Sequence, residues 1–491
     1  MAAKPHENHL LPVASPTLSY WRSEPHRLDS HRSTEQLPAT CDIAIIGAGF
    51  SGVSVAYHLS TSDVETTEGP PSIVLLEARQ VCSGATGRNG GHVKLKTASI
   101  MSIIQEHGLE AADDFAALVR AQIDALKELV ETEQLDCEFE LRRSYDVFLH
   151  ADEAQAMEAK WSECLRKGYK WTREHDFVGE KFAERVTSVR GAKAAFSGPA
   201  CSLWPYKLVT QLLEKAMERN PHLNLQTETP VLSVEALEEG RSGTIIHTER
   251  GSIRAKKAVF ATNAYTAGLL PQYRGVINPY RGTASHLTLP KGADPVFPHL
   301  SHTYNIEYGL KYPASPTVDY LNPRPDGGIV VGGGRWLFQQ PGELWQDNID
   351  DSALIGPVLE AAYFEGYMQR VFRGWENSGT KLDKVWTGSK FDHILPEPAT
   401  LAFHGVGRSY GLTNQGPPAV MASTKDGMPH IGKVPQRENQ WVIAAFNGAG
   451  MTQILLLGKA IADMVKDDKP FEATDTIVPR RFQTTLKRME T

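Results

Sequence analysis

The residues able to do chemistry gather in two glycine-rich runs: 42–59, DIAIIGAGFSGVSVAYHL, and 83–92, SGATGRNGGH. Gly47, Gly49 and Gly52 carry the GxGxxG spacing. The first glycine of such a turn permits a sharp bend, the second lets backbone approach a pyrophosphate, and the third lets a helix pack closely on a strand. Ala48, Phe50 and Ser51 then present backbone N–H groups at a helix N-terminus, whose partial positive charge suits phosphate. The apolar run 73–76 closes in Glu77, followed by Ala78 and Arg79. An acid at that point accepts hydrogen bonds from ribose hydroxyls. Strand, glycine turn, helix, second strand and acid together specify an adenine dinucleotide site.

That unit alone does not separate NAD from FAD. The second run does. Ser83, Gly84, Arg88, Asn89, Gly90 and Gly91 follow the second strand directly, in a loop whose N–H groups can meet further phosphate oxygens or a flavin edge. Here the chain resembles the FAD-dependent amine and amino-acid oxidoreductases of the D-amino-acid oxidase and glycine/sarcosine oxidase superfamily. Within it, the likeness is to the gamma-glutamylputrescine-oxidoreductase-like branch, which includes many fungal proteins. A SGxTGRNGG loop runs beside the flavin in that family. The resemblance implies that backbone around Val231 lies on the adenine and that the turn after Ala261 backs the diphosphate. It also implies that FNGAGMTQ (446–453), with Gly448, Gly450 and Met451, aims a helix N-terminus at the pyrimidine end of the ring. A helix dipole there stabilises negative charge on the reduced ring. Some members attach flavin through a loop histidine, and Arg88 occupies that position. Others use a cysteine after the strand that holds Trp386, and none is near. Non-covalent FAD is expected.

These segments need elements to hold them. The pattern predicts an α/β protein, α+β overall. A Rossmann-like FAD-binding domain is assembled from discontinuous segments, and a substrate domain is built on a mixed, largely antiparallel sheet. Residues 1–40, rich in Pro, His and Ser, read as an arm that Tyr20 and Trp21 pin down. Residues 41–100, 201–272 and 421–470 form the FAD-binding domain; 101–200 and 273–388 form the substrate domain; 471–491 is a polar tail. Apolar periodicity predicts helices over 98–132, 152–167 and 352–372. Strands are predicted over 138–149 and 224–234, with a hairpin turn at 325–328.

The chain has 491 residues and net charge -7, which argues against nucleic acid as a partner. Its five cysteines form no CxxC and point to a reducing compartment, with no metal site expected. No apolar run reaches membrane-spanning length. The start lacks a secretory apolar region and the end is no peroxisomal tripeptide, so the cytoplasm is the expected address.

A flavin accepts hydride from a carbon that bears an amine, so no dense catalytic cluster is required. His92 follows the glycine loop and is a candidate base or charge near the ring, or a ligand of the loop alone. By the resemblance, Tyr320 and Arg324 stand on a substrate-domain strand where an anion anchor is often found. Arginine gives a two-point grip on carboxylate. The expected substrate is a small amine or amino acid with an anionic group. An NAD(P)-linked dehydrogenase and a flavin-binding protein without turnover are the alternatives.

In the resembled family, a WTG strand runs into WTGI-M-x-S/T-x-D-G-x-P-x-I-G. Here Trp386, Thr387 and Gly388 are followed by 389–420, and the pattern resumes at MASTKDGMPHIG, 421–432. Codons available to Ser389, Lys390 and Phe391 contain the intron donor GTAAGT. Those of Leu412 and Thr413 contain a branch-point sequence, and those of Ala419 and Val420 an acceptor. Two accounts stand: a retained intron and a loop insertion. The first predicts cDNA reading WTGIMASTKDGMPHIG, with full activity in that form alone. A dominant transcript that keeps the intervening codons and encodes a fully active protein selects the second.

Overall fold

A computed structural model describes residues 10–61, 69–236, 243–309, 318–337, 342–352, 354–360, 362–386 and 420–490. The insertion at 389–420 lies outside the described residues except for Val420. Among the described residues, no helix is long and apolar enough to cross a membrane.

Two buried apolar strands seed the first sheet. Every residue of Ile73–Leu76 is buried, as are Ile43 to Ile46 of the neighbouring strand Thr40–Ile46. Such runs belong in the middle of a parallel sheet covered on both faces. The register pairs Ile43 with Ile73 and Ile46 with Leu76. The path runs His430–Lys433, Gln440–Ala444, Gly251–Phe260, Thr40–Ile46, Ile73–Leu76 and Leu223–Gln226. Val231–Ala236 and Thr244–Thr248 add an antiparallel flap to Gly251–Phe260.

The Phe50–Ser60 helix follows the glycine turn and is buried on nearly every side. It can sit there because its residues are small where it crosses its neighbour. A Cβ on Gly458 of the helix Ile454–Asp467 would lie 2.1 Å from Ser54 Oγ. The Ser54 hydroxyl donates instead to the Leu455 carbonyl, at 3.2 Å.

The second sheet is mixed and largely antiparallel. Its path is Lys381–Trp386, Ala284–Thr288, Ile329–Gly332, Val318–Pro323, Thr303–Glu307, Glu140–Phe148, Ala194–Ser202 and His92–Lys94. Only Thr303–Glu307 with Glu140–Phe148 is a parallel pair among these neighbours. The His92–Lys94 strand leaves the glycine loop straight into this sheet, so one loop touches both sheets. A third, two-stranded pairing joins Asn278–Tyr280 to Met421–Ser423, with Tyr280 opposite Met421.

Three expected elements divide. The 98–132 helix is two, Thr97–His107 and Leu109–Glu133, broken at Gly108, whose φ is +87°. The 224–234 strand stops at Gln226 and restarts at Val231. Between them Glu228 takes a φ of +49° and Pro230 offers no N–H to a ladder. Among the described residues of 352–372 the helices are the short Gly356–Glu360 and Tyr367–Val371, separated by left-handed residues at Ala362 and Gly366, with φ of +46° and +58°.

The N-terminal segment is built into the body. Trp21 has 0% exposure, and its Nε1–H donates to the Asn89 carbonyl at 2.5 Å. Its ring fills the space beside Gly91, where a Cβ would lie 2.5 Å from it. Tyr20 stacks on His286 with ring centroids 3.7 Å apart. Ser33 and Leu225 exchange hydrogen bonds at the edge of the first sheet. Trp21→Ala is expected to cost about 3–5 kcal/mol, the loss of a large buried side chain. Urea unfolding of the variant and the wild type measures it.

Candidate active site

The C-terminal ends of the first-sheet strands open into a cavity of about 1230 Å3, its mouth included. Gly47, Gly49 and Ser51 from the glycine turn, Glu77 just after Ile73–Leu76 and Ala261 just after Gly251–Phe260 line it. The turn admits nothing larger. A Cβ on Gly52 would lie 1.9 Å from the Gly47 carbonyl oxygen, and one on Gly47 would lie 2.7 Å from that of Ala261. Glu77 is held by two backbone donors, Ala48 N–H at 2.8 Å and Arg79 N–H at 3.0 Å. An ionised carboxylate has about four acceptor positions, so it keeps capacity for two ribose hydroxyls. Val231 and Thr229 line the same cavity.

The glycine loop reaches this cavity through Gly84, Ala85, Thr86 and Asn89. Side chains from distant segments grip its carbonyls. Trp386 Nε1–H donates to the Arg88 carbonyl at 2.8 Å. Asn322 donates to the carbonyls of Gly90 and Gly91 at 2.8 and 2.9 Å. Asn89 turns back to cap the loop, donating to Thr86 and accepting from Gly91 N–H, each at 2.8 Å. Arg88 is not part of this cavity's lining. Its guanidinium is buried against Thr17 and Asp351, and burial lowers its pKa to about 10. Arg79 does line the cavity, with Nη1 2.9 Å from Asp351 and 3.1 Å from the Val13 carbonyl. Ser83 sits behind it, bonded to Arg79 Nε at 3.1 Å.

At the far side stand Phe446, Gly448, Gly450 and Met451. Ala445, Asn447 and Gly448 all take positive φ, of 62°, 51° and 80°. Glycine adopts such a φ freely, but at Ala445 and Asn447 it is strained and persists only where neighbours over-determine it. Asn263 accepts the Ala445 N–H at 3.0 Å, and Asn447 accepts the Thr424 N–H at 2.9 Å. Gln122, fully buried on the long helix, donates to the Met451 carbonyl and accepts from Leu456 N–H. Gln122, Asn263 and Asn322 support the site, yet no motif in the sequence marks them.

A second cavity of about 500 Å3 shares Met421 with the first. Lys96, Arg281, Asn305, Tyr320 and Arg335 line it. Lys96 is matched by Glu307 at 2.7 Å, and Arg335 lies 3.8 Å above the Trp345 ring. The Tyr320 hydroxyl is buried and has no partner among the described residues. His92 packs edge-on to Tyr320 with centroids 5.4 Å apart, and it lines neither cavity. Burial, with Lys94 and Arg324 nearby, holds its imidazole well below the usual range, so it is neutral near pH 7. Arg324 lines neither cavity. Its side chain is shut from solvent, paired to Glu138 at 2.6 Å and set over the Trp21 ring. Among the described residues no cluster of His, Cys, Asp and Glu could hold a metal.

The model of the FAD dependent oxidoreductase family matches residues 42–464, from the first strand through the last site helix. The chain belongs to that family. FAD is its cofactor, and the features described above fit it: a glycine turn without side chains, a helix N-terminus and an acid with spare acceptor positions. This oxidoreductase is 20% identical to gamma-glutamylputrescine oxidoreductase of Escherichia coli strain K12 over 87% of the chain and 84% of the relative. It is 24% identical to the probable oxidoreductase OrdL of Rhizobium meliloti over 60% of the chain and 63% of the relative. Glycine oxidase from Geobacillus kaustophilus shares the fold at 18% identity, with a TM-score of 0.61 over 91% of this chain and 99% of that one. Iminodiacetate oxidase from Chelativorans sp. BNC1 superimposes with a TM-score of 0.61 at 17% identity, over 90% and 98%.

Two variants test the cofactor cradle by FAD titration of the apoenzyme. Glu77→Ala removes the carboxylate that would accept from the ribose hydroxyls and is expected to weaken FAD by about 1–3 kcal/mol, tenfold or more. Gly52→Ala drives a Cβ into the Gly47 carbonyl and is expected to abolish holoenzyme formation.

Proposed function

We propose that this FAD-dependent oxidoreductase oxidises a small amine or amino acid that carries an anionic group, bound in the second cavity. The observation that carries the reading is the pair Arg281 and Arg335 on a cavity that meets the FAD cavity at Met421. Bound FAD supplies a two-electron acceptor for hydride from the carbon next to nitrogen, and O2 or another acceptor reoxidises it. The protein's part is to bind, orient and desolvate. Arginine presents a planar fork to a carboxylate and grips it at two points. The Tyr320 hydroxyl offers a further donor. Burial disfavours an ammonium ion, so the cavity favours the neutral amine that hydride loss requires. His92, neutral and behind Tyr320, serves as packing for the loop in this reading. The anchor expected at Arg324 passes to Arg335 and Arg281, because Glu138 already engages Arg324.

The names of the relatives, which include oxidoreduction of gamma-glutamylputrescine and oxidation of glycine and iminodiacetate, support a nitrogen-bearing substrate. The cysteines are free and buried, which supports a reducing, cytoplasmic setting. Non-covalent attachment follows from Arg88 at the loop position. Acid precipitation is expected to leave all yellow colour in the supernatant, and a coloured pellet refutes it.

Anaerobic mixing with a panel of amines and amino acids, followed by flavin bleaching, tests the substrate class. Anionic members are expected to bleach the flavin, and Arg335→Ala is expected to raise their KM about tenfold or more, or about 1.4 kcal/mol. Bleaching by uncharged amines alone, unchanged in the variant, overturns the anchor. No bleaching by any member favours a flavin-binding protein without turnover.

A further inference from the structure

Asp319 lies on the strand Val318–Pro323 beside Tyr320, and successive side chains of a strand point to opposite faces. Tyr320 faces the second cavity, and Asp319 faces the packed interior behind it. Asp319 has 0% exposure. Its Oδ2 accepts from three hydroxyls: Tyr308 at 3.0 Å, Tyr363 at 2.5 Å and Tyr367 at 2.8 Å. Its Oδ1 accepts the Gly334 N–H at 3.0 Å. None of these partners is a cation. A buried carboxylate met only by neutral donors is costly to keep ionised, so its retention asks for a reason.

The reason is what the carboxylate touches. A Cβ on Gly333 would lie 1.7 Å from Asp319 Oδ1, and one on Gly334 would lie 2.9 Å from the Tyr363 ring. Thr283 fixes Gly333 from the other side, through its hydroxyl at 2.8 Å and its carbonyl at 3.2 Å. The next residue is Arg335, on the wall of the second cavity. Trp336 then packs on the same tyrosines, 5.0 Å from Tyr308 and 5.1 Å from Tyr363. Strand end, tyrosines and arginine therefore form one continuous assembly around a single carboxylate.

We propose that Asp319 is the positioning residue for Arg335. By gathering three tyrosine hydroxyls and the Gly334 N–H, it fixes the guanidinium at the place where the anionic end of the substrate binds. The inference rests on the second cavity being the substrate site.

Among the described residues, the groups facing Asp319 are Tyr308 from the end of its partner strand, Tyr363 and Tyr367 from the segment packed below, and the Gly334 backbone. Desolvation raises its carboxyl to about 6, and the tyrosines are raised so far that they remain donors. A neutral carboxyl must donate its own proton, so one of the four donors then loses its acceptor. The sign distinguishes positioning from stability. The folded pKa lies above the unfolded value of about 3.9, so this group's contribution to stability falls as pH rises through that interval and is greatest below it. Positioning runs the other way and weakens as pH falls through about 6.

The test titrates the holoenzyme with acetate and benzoate, and with acetamide and benzamide as uncharged probes of matching shape. The shift of the visible flavin spectrum is read. Asp319→Asn, Arg335→Gln and the double variant are compared with wild type. Expected is at least about tenfold weaker carboxylate binding in each single variant, unchanged amide binding and FAD content, and no further loss in the double variant. Wild-type carboxylate affinity is expected to fall between about pH 8 and pH 5 while urea stability does not. If Asp319→Asn fails to fold, Tyr363→Phe and Tyr367→Phe each remove one donor and are expected to weaken carboxylates about threefold, amides not at all. Additive losses, an equal loss of amides, or no loss in Asp319→Asn overturns the proposal and leaves Arg335 as an anchor. Carboxylate binding that is absent in wild type, or unaffected by Arg335→Gln, overturns the cavity reading as well.

Discussion

The structure depends on a buried loop having its carbonyls satisfied. Residues 83–91 run between two sheets with much of their backbone out of water, where an unmet polar group costs about 1–3 kcal/mol. Four side chains answer: Ser19 to Gly87, Trp21 to Asn89, Trp386 to Arg88, and Asn322 to both Gly90 and Gly91. They come from the N-terminal segment and from two strands of the second sheet. With the carbonyls held from behind, the loop presents its other side to the cofactor cavity. The same bonds lock the first sheet's loop onto the second sheet, so the relative placement of the two cavities follows from them.

Charge obeys a related constraint. Arg79 and Arg88 are both buried, and Asp351 serves both. Glu77, which accepts the Arg79 N–H, adds a second carboxylate, so the two buried guanidinium groups are met by two acids. In the second cavity, Lys96 is neutralised by Glu307 and Arg335 is stacked on an indole. The positive charge there is therefore directed, with arginine forks rather than a diffuse field meeting the ligand.

What the sequence reveals follows from how local the physics is. The glycine turn, the Phe50–Ser60 helix and Glu77 were legible because their spacing is dictated by steric contact within one βαβ unit. The largely antiparallel second sheet was legible from alternation and from the turn at 325–328. Arg335 and Arg281 were not, since a cavity between strands is set by register, and register is not written in any one strand. Arg324 has the residue type of an anchor, but a glutamate far away in the chain, Glu138, and the ring of Trp21 claim it. Asp319 is equally silent. One of its three tyrosines is Tyr308, and the other two come from a stretch that reads as one helix but is broken at Ala362 and Gly366.

The N-terminal segment gives the assembly a direction in time. Tyr20, Trp21 and Thr17 leave the ribosome well before their partners, which include His286, Trp204 and Asp351. Contacts of such sequence separation form late, because the intervening chain must first be made and closed. Ser19 and Trp21 therefore wait, with their apolar neighbours exposed, until most of the second sheet exists. The cofactor loop takes two of its carbonyl donors, Ser19 and Trp21, from this segment, so it is complete only with the segment seated. A loop that needs donors from the N-terminal segment and from two strands of the second sheet is expected to take up cofactor only after that sheet has formed.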